Sequence, residues 1–197
     1  MRTSGQIKAE IEEHLGFFPP FFAPALHTPQ VLENLWQQTL LAYINNPLPA
    51  LFKEKLSAYL SRYCSVPYCM ICHSCALYPL GMQASDILAW LELPPPTRPD
   101  VEQHLERLAT QPEWLAVWTE KHHPALEESL LACTIFIAQE QEAGQECRQA
   151  LSHLLEPAHY QSLVMLIAYI KTCLVWMEAH PQVACEVDQR IQKYLGS

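Results

Sequence analysis

The chain has 197 residues, half of them hydrophobic, and carries 12 basic against 21 acidic side chains for a formal charge of −9. That length supports a substantial core without disulfide staples, and the acidic balance, with no stripe of lysine or arginine to offset it, argues against a nucleic-acid partner. Sixteen prolines against five glycines disfavour the glycine-rich turns of a β-sandwich or barrel and mark helix boundaries instead.

Apolar spacing of three and four residues predicts helices throughout, and no stretch alternates strictly enough to predict a strand. Residues 5–15 form a short amphipathic helix ended by Gly16. The run Phe17, Phe18, Pro19, Pro20 breaks it before a turn of helix over 21–26. Thr28 and Pro29 read as an N-cap with proline at the first helical position, opening a helix through Leu41 that stops at Asn45 and Asn46. Another runs over 49–63, with Leu51, Leu56, Tyr59 and Leu60 inward. Ser65, Val66 and Pro67 open a helix over 68–78, and Ser85 and Asp86 open one to Leu93. The proline-rich stretch 94–99 is a stiff linker, after which Asp100 caps a helix to Thr110 and Pro112 opens another through Trp118. Pro124 starts a long apolar helix, Gly144 separates it from 145–155, Pro157 begins a helix to His180, and Pro181 precedes a final helix ending near Leu195. The expectation is a single all-α domain, a compact multi-helix bundle. Its halves, approximately 1–93 and 100–197, are weakly alike.

The first thirteen residues hold Arg2, Lys8 and three glutamates in place of the apolar run and small-residue cleavage site of an export signal, so a cytoplasmic location is expected. Residues 160–177 are nearly continuously apolar, at the lower limit for crossing a bilayer. Lys171 inside that stretch, with Glu178 and His180 behind it, predicts a central core helix and no membrane partner. Eight cysteines without an export signal do not read as a disulfide framework.

Four of those cysteines fall within residues 64–75, which read Cys-Ser-Val-Pro-Tyr-Cys-Met-Ile-Cys-His-Ser-Cys. On a helix Cys69, Cys72 and His73 share one face within one turn. Cys69 lies in the first turn, where unpaired amides and the positive end of the helix dipole stabilise a thiolate and a nearby imidazole relays protons, so a depressed thiol pKa is expected there.

Glu54, Cys69 and His73, with Tyr68 between them, resemble the signature of the alkylhydroperoxidase D-like and carboxymuconolactone decarboxylase superfamily, whose redox members show Glu-x11-Cys-x2-Cys-x3-His. Counted from Glu54, the second cysteine and the histidine are matched by Cys69 and His73, while the first cysteine position holds Val66. No other frame restores the motif. The resemblance covers about residues 15–180, most strongly 51–80, and includes the aromatic and proline segment 16–26 and the long helix 156–180. It implies an alkylhydroperoxidase D-like bundle and a thiol-dependent peroxidase needing no cofactor, with a small hydroperoxide as substrate and a thiol as reductant. Cys69 would be the nucleophile and Glu54 and His73 its proton relay, with Tyr68 in the pocket. The resemblance also implies a homo-oligomer. With Val66 in place of the resolving cysteine, Cys72 and, more weakly, Cys64 are the candidates from the sequence; otherwise an external thiol resolves.

Two other functions remain open on the sequence. One is a non-catalytic redox-sensing or interaction module on the same scaffold. The other is a metal site, because Cys64, Cys69, Cys72, His73 and Cys75 include enough soft ligands for zinc. Cys133, Cys147, Cys173 and Cys185 read as small hydrophobes on apolar faces. Glu10, Glu12, Glu13, Glu127 and Glu128 read as solvated helix faces.

Overall fold

The computed structural model describes residues 2–121, 123–140 and 144–195, and among them every regular element is helical. The first helix, α1 (Ser4–Leu15), starts on a capping box in which the Gln6 amide donates to the Thr3 hydroxyl and the Thr3 amide to the Gln6 side chain. It stops at Gly16, whose φ of +78° is left-handed backbone that a residue with a Cβ adopts only under strain. A 3-10 turn (Pro20–Ala25) then buries Phe21 and Phe22. Pro29 opens α2 (Pro29–Gln38), but the Thr28 side chain makes no capping hydrogen bond. The helix does not run on regularly to Asn45: it widens into a π-helical segment, Thr39–Ile44, which apolar spacing alone does not distinguish from α-helix. Lys53 fixes the end of that segment, its ammonium donating to the Tyr43 carbonyl at 2.6 Å and the Asn46 carbonyl at 3.1 Å.

A tight turn joins α3 (Ala50–Tyr63) to α4 (Pro67–Leu77). Ser65 takes φ +57° there, the one non-glycine in left-handed backbone among the described residues, and the Val66 amide closes the turn onto the Ser61 carbonyl at 2.9 Å. So short a connection makes the two helices antiparallel neighbours. Glu54 and His73, eleven residues before Ser65 and eight after it, are thereby brought to similar heights on facing surfaces.

The next helix, α5 (Ala84–Glu92), is capped by Gln83 and Asp86. In α6 (Arg98–Ala109) the cap is Thr97, and Asp100 is the third helical residue returning a hydrogen bond to it, not the cap that its position after the prolines predicts. The helix expected through Trp118 is a single turn, α7 (Pro112–Leu115). There follow α8 (Pro124–Gln139), α9 (Gly144–Leu154), α10 (Pro157–Glu178) and α11 (Gln189–Leu195). Pro181 does not lead directly into the final helix: between it and α11 the only regular structure is a short 3-10 turn, Cys185–Val187.

One hydrophobic cluster runs from Ile7 to Ile191, drawing on both halves of the chain, and a smaller one of Ala58, Leu77, Ile87 and Leu91 lies under α5. Two acidic residues that read as solvated are part of this packing. Glu127 is buried in α8 and accepts from Lys55 at 2.6 Å, and Glu10 accepts from the Trp36 indole at 2.7 Å. By length and composition α10 is apolar enough to cross a membrane. Its inner stripe, including Leu163, Leu166, Ile170, Cys173 and Leu174, joins the main cluster, while Val164, Met165 and Val175 are exposed. It is therefore a core helix on one side only.

Candidate functional site

The antiparallel pairing of α3 and α4 sets the Glu54 carboxylate 2.7 Å from His73 Nδ1, which donates to it. The Tyr43 hydroxyl, carried in by the π-helical segment, stands 3.2 Å from the same nitrogen. Burial opposes ionisation of Glu54, yet the His73 imidazole and the Tyr43 hydroxyl outweigh it and hold the carboxyl below the ordinary glutamate range. With Nδ1 carrying the proton toward Glu54, Nε2 is left as the basic nitrogen.

His73 lines a cavity of about 130 Å³ whose other walls include Tyr43, Tyr68, Cys69, Cys72, Tyr169, Cys173 and Arg190. Cys69 and Cys72 are only 4% and 3% exposed. The structure thus brings together Glu54, Tyr68, Cys69, Cys72 and His73. Cys64 is not with them: it caps the C-terminal end of α3, is exposed, and is absent from the cavity wall.

The helix dipole does not set the ionisation of Cys69. Burial is the largest influence and pushes the thiol well above its ordinary range, with Cys173 and Cys72 adding to the rise and Arg190 opposing it. The direction is opposite to the depressed pKa expected of a helix start, because burial of the thiolate outweighs the opposing charge of Arg190. Cys72 is likewise pushed up to about 12, chiefly by burial. Alkylation of Cys69 by iodoacetamide, followed on its own peptide beside exposed Cys64, should accordingly be slow near neutrality and rise about tenfold per pH unit into the alkaline range. A plateau reached below pH ~8 would show that the thiolate is already formed.

A second polar cluster lies behind the wall that Tyr68, Cys72 and Arg190 give the cavity. Asp188, fully buried, accepts at Oδ2 from the Tyr68 hydroxyl at 2.7 Å and the Arg190 guanidinium at 2.8 Å, and at Oδ1 from the Arg190 amide and Nε at 2.9 and 3.0 Å. The Cys72 thiol points at the same Oδ2 from 3.7 Å, and the Phe21 amide donates to Tyr68 Oη at 3.3 Å. Burial alone would raise the Asp188 carboxyl, but Arg190 and Tyr68 hold it below the usual aspartate range.

Tyr43, Tyr169, Cys173, Asp188 and Arg190 are site residues that the sequence reading missed. Tyr43 depends on a π-turn, and Asp188 and Arg190 arrive from the far end of the chain. Cys173 carries only the apolar context of its helix, which reads as packing. Among the described residues no three His, Cys, Asp or Glu side chains converge so as to hold a metal ion. The zinc reading loses its ligand set because Cys64 turns outward and Cys72 turns to Asp188. Comparison with family models, with curated proteins and with solved structures finds no match to this chain.

Proposed function

We propose that the chain is a thiol-dependent peroxidase of alkylhydroperoxidase D-like fold, reducing small hydroperoxides through Cys69 with Glu54 and His73 as its proton relay. The observation that carries this reading is the 2.7 Å Glu54–His73 contact across two helices, its imidazole on the wall of the cavity that also holds Cys69. A half-buried carboxylate and imidazole in such contact, beside a thiol held protonated by burial, form a base, its orienting group and a nucleophile.

In the reaction His73 Nε2 takes the Cys69 proton as the peroxide enters, so the thiolate forms only at the moment of attack. The sulfur attacks the terminal peroxide oxygen, the O–O bond breaks, and the proton returns through His73 to the departing alkoxide. The products are a Cys69 sulfenic acid and an alcohol. Over the reductive half of the cycle two equivalents of thiol reductant are consumed, the Cys69 thiol is restored and one water is lost. Glu54 stabilises the imidazolium that exists between the two proton transfers. A cavity of about 130 Å³ suits a small hydroperoxide.

The test is hydroperoxide consumption by the full chain with dithiothreitol as reductant. Sustained turnover together with a sulfenic acid on Cys69 is the expected result. No loss of the Cys69 thiol on peroxide treatment would sink the reading, whereas a single oxidation without turnover would assign the chain to redox sensing on the same scaffold.

A further inference from the structure

A peroxidatic cysteine needs a second thiol, and the position where the spacing asks for one is Val66, buried at the start of α4. Three free cysteines line the cavity: Cys69 and Cys72 on α4, and Cys173 on α10. Cys72 follows Cys69 by one turn of the same helix. That spacing allows a disulfide when both sulfurs are free to turn to each other, but the Cys72 thiol is engaged by Asp188 Oδ2, 3.7 Å away.

Cys173 comes from a different element. α10 packs against both α4 and the π-helical segment, so Cys173 enters the cavity from a wall that Cys69 does not share. Of the sulfurs that raise the Cys69 thiol, Cys173 acts most strongly, ahead of Cys72. Tyr169, one turn earlier on α10, has its hydroxyl 3.0 Å from the Thr39 hydroxyl; burial pushes the Cys173 thiol up to about 12, and Tyr169 opposes that rise.

We propose that Cys173 is the resolving cysteine, closing a Cys69–Cys173 disulfide between α4 and α10 after each peroxide attack. The inference rests on the peroxidase reading of Cys69. In the step the Cys173 sulfur attacks the Cys69 sulfenic sulfur, the S–O bond breaks, and the hydroxyl leaves with the Cys173 proton as water. The Cys69 sulfur, oxidised by the peroxide, shares that oxidation with Cys173 in the new S–S bond. Two external thiols then reduce the disulfide and are themselves joined. Both sulfurs are nearly closed to solvent, so the reductant is a small thiol and not a protein surface.

The experiment treats the full chain with one equivalent of tert-butyl hydroperoxide in the presence of dimedone and maps peptides without reduction. Wild type is expected to give the Cys69–Cys173 linked peptide and little dimedone on Cys69. Cys173→Ser and Cys173→Ala, both checked for native helicity, are expected to raise the Cys69 dimedone adduct roughly tenfold, since the sulfenic acid then has no thiol to condense with. A Cys69–Cys72 disulfide in wild type, or an unchanged adduct in both variants, overturns the assignment of Cys173 while leaving Cys69 as the nucleophile. Absence of any Cys69 oxidation in all three proteins overturns the peroxidase reading, and this inference with it.

Discussion

Cys69→Ser is expected to abolish thiol-dependent hydroperoxide turnover, a loss on the order of 10⁴-fold or more, because a serine hydroxyl in the same buried position is neither ionised nor oxidisable. Glu54→Gln is the more informative partner variant. Its amide oxygen still accepts from His73 Nδ1, so the ring keeps its orientation, but the negative charge that stabilises the imidazolium is gone. A fall of about 10²-fold in the rate of Cys69 oxidation is expected, within the range that positioned acid–base groups contribute. The pH dependence carries the sign of the mechanism. Glu54 has its carboxyl held low in the folded state, so in wild type it is ionised from below neutrality upward. Its stabilisation is present above the unfolded glutamate value and is lost as pH falls through the lower folded value. The Cys69 thiol, pushed up by burial, is protonated over the same window. Wild-type oxidation at neutral pH therefore depends on the relay, and Glu54→Gln approaches wild type as pH rises and hydroxide removes the thiol proton directly. A Glu54→Gln rate equal to wild type at neutral pH, with Cys69→Ser inactive, would remove Glu54 from the relay but keep the nucleophile.

Much of this site could be read from local features. Proline and capping residues placed most helix starts, and the eleven- and eight-residue offsets of Glu54 and His73 from the Ser65 turn are local quantities that a helical hairpin converts into a contact. What could not be read depends on three-dimensional packing. The π-helical widening at Thr39–Ile44 turns Tyr43 to His73, and no spacing rule separates it from regular helix. Cys173 looks like any small hydrophobe on an apolar helix until α10 is laid against α4. The ionisation of Cys69 was misjudged because a sequence shows the helix start but not the depth of burial, and depth is the larger influence on a thiolate. Glu127 and Glu10 looked solvated for the same reason, their Lys55 and Trp36 partners lying in other helices.

Arg190→Leu should be the most destabilising single change at the site, lowering stability by about 3 kcal/mol and the midpoint of thermal unfolding by roughly 6–12 °C. Asp188 is fully buried and receives its charge compensation from one side chain, with Tyr68 and Cys72 supplying neutral donors. The low end of the range for breaking a buried pair applies because the Arg190 side chain is 40% exposed and the pair is partly screened by water. Acid makes the interpretation specific. In wild type the Asp188 carboxyl is held low, so its stabilisation is full above the unfolded aspartate value and disappears as pH falls through the lower folded value. In Arg190→Leu the carboxylate keeps its burial and loses its cation, so its folded pKa rises above the unfolded value and protonation relieves it. Wild type loses stability over the acid range in which the variant is relieved, and the gap between them narrows as pH falls from about 6 toward 3. Adding Asp188→Asn to Arg190→Leu removes the stranded charge and should recover part of the loss at neutral pH. A gap that stays constant down to acid pH, or a double variant no more stable than Arg190→Leu, would mean that Arg190 stabilises the fold through packing on Phe17, whose ring centroid lies 5.7 Å from the guanidinium, and not through Asp188.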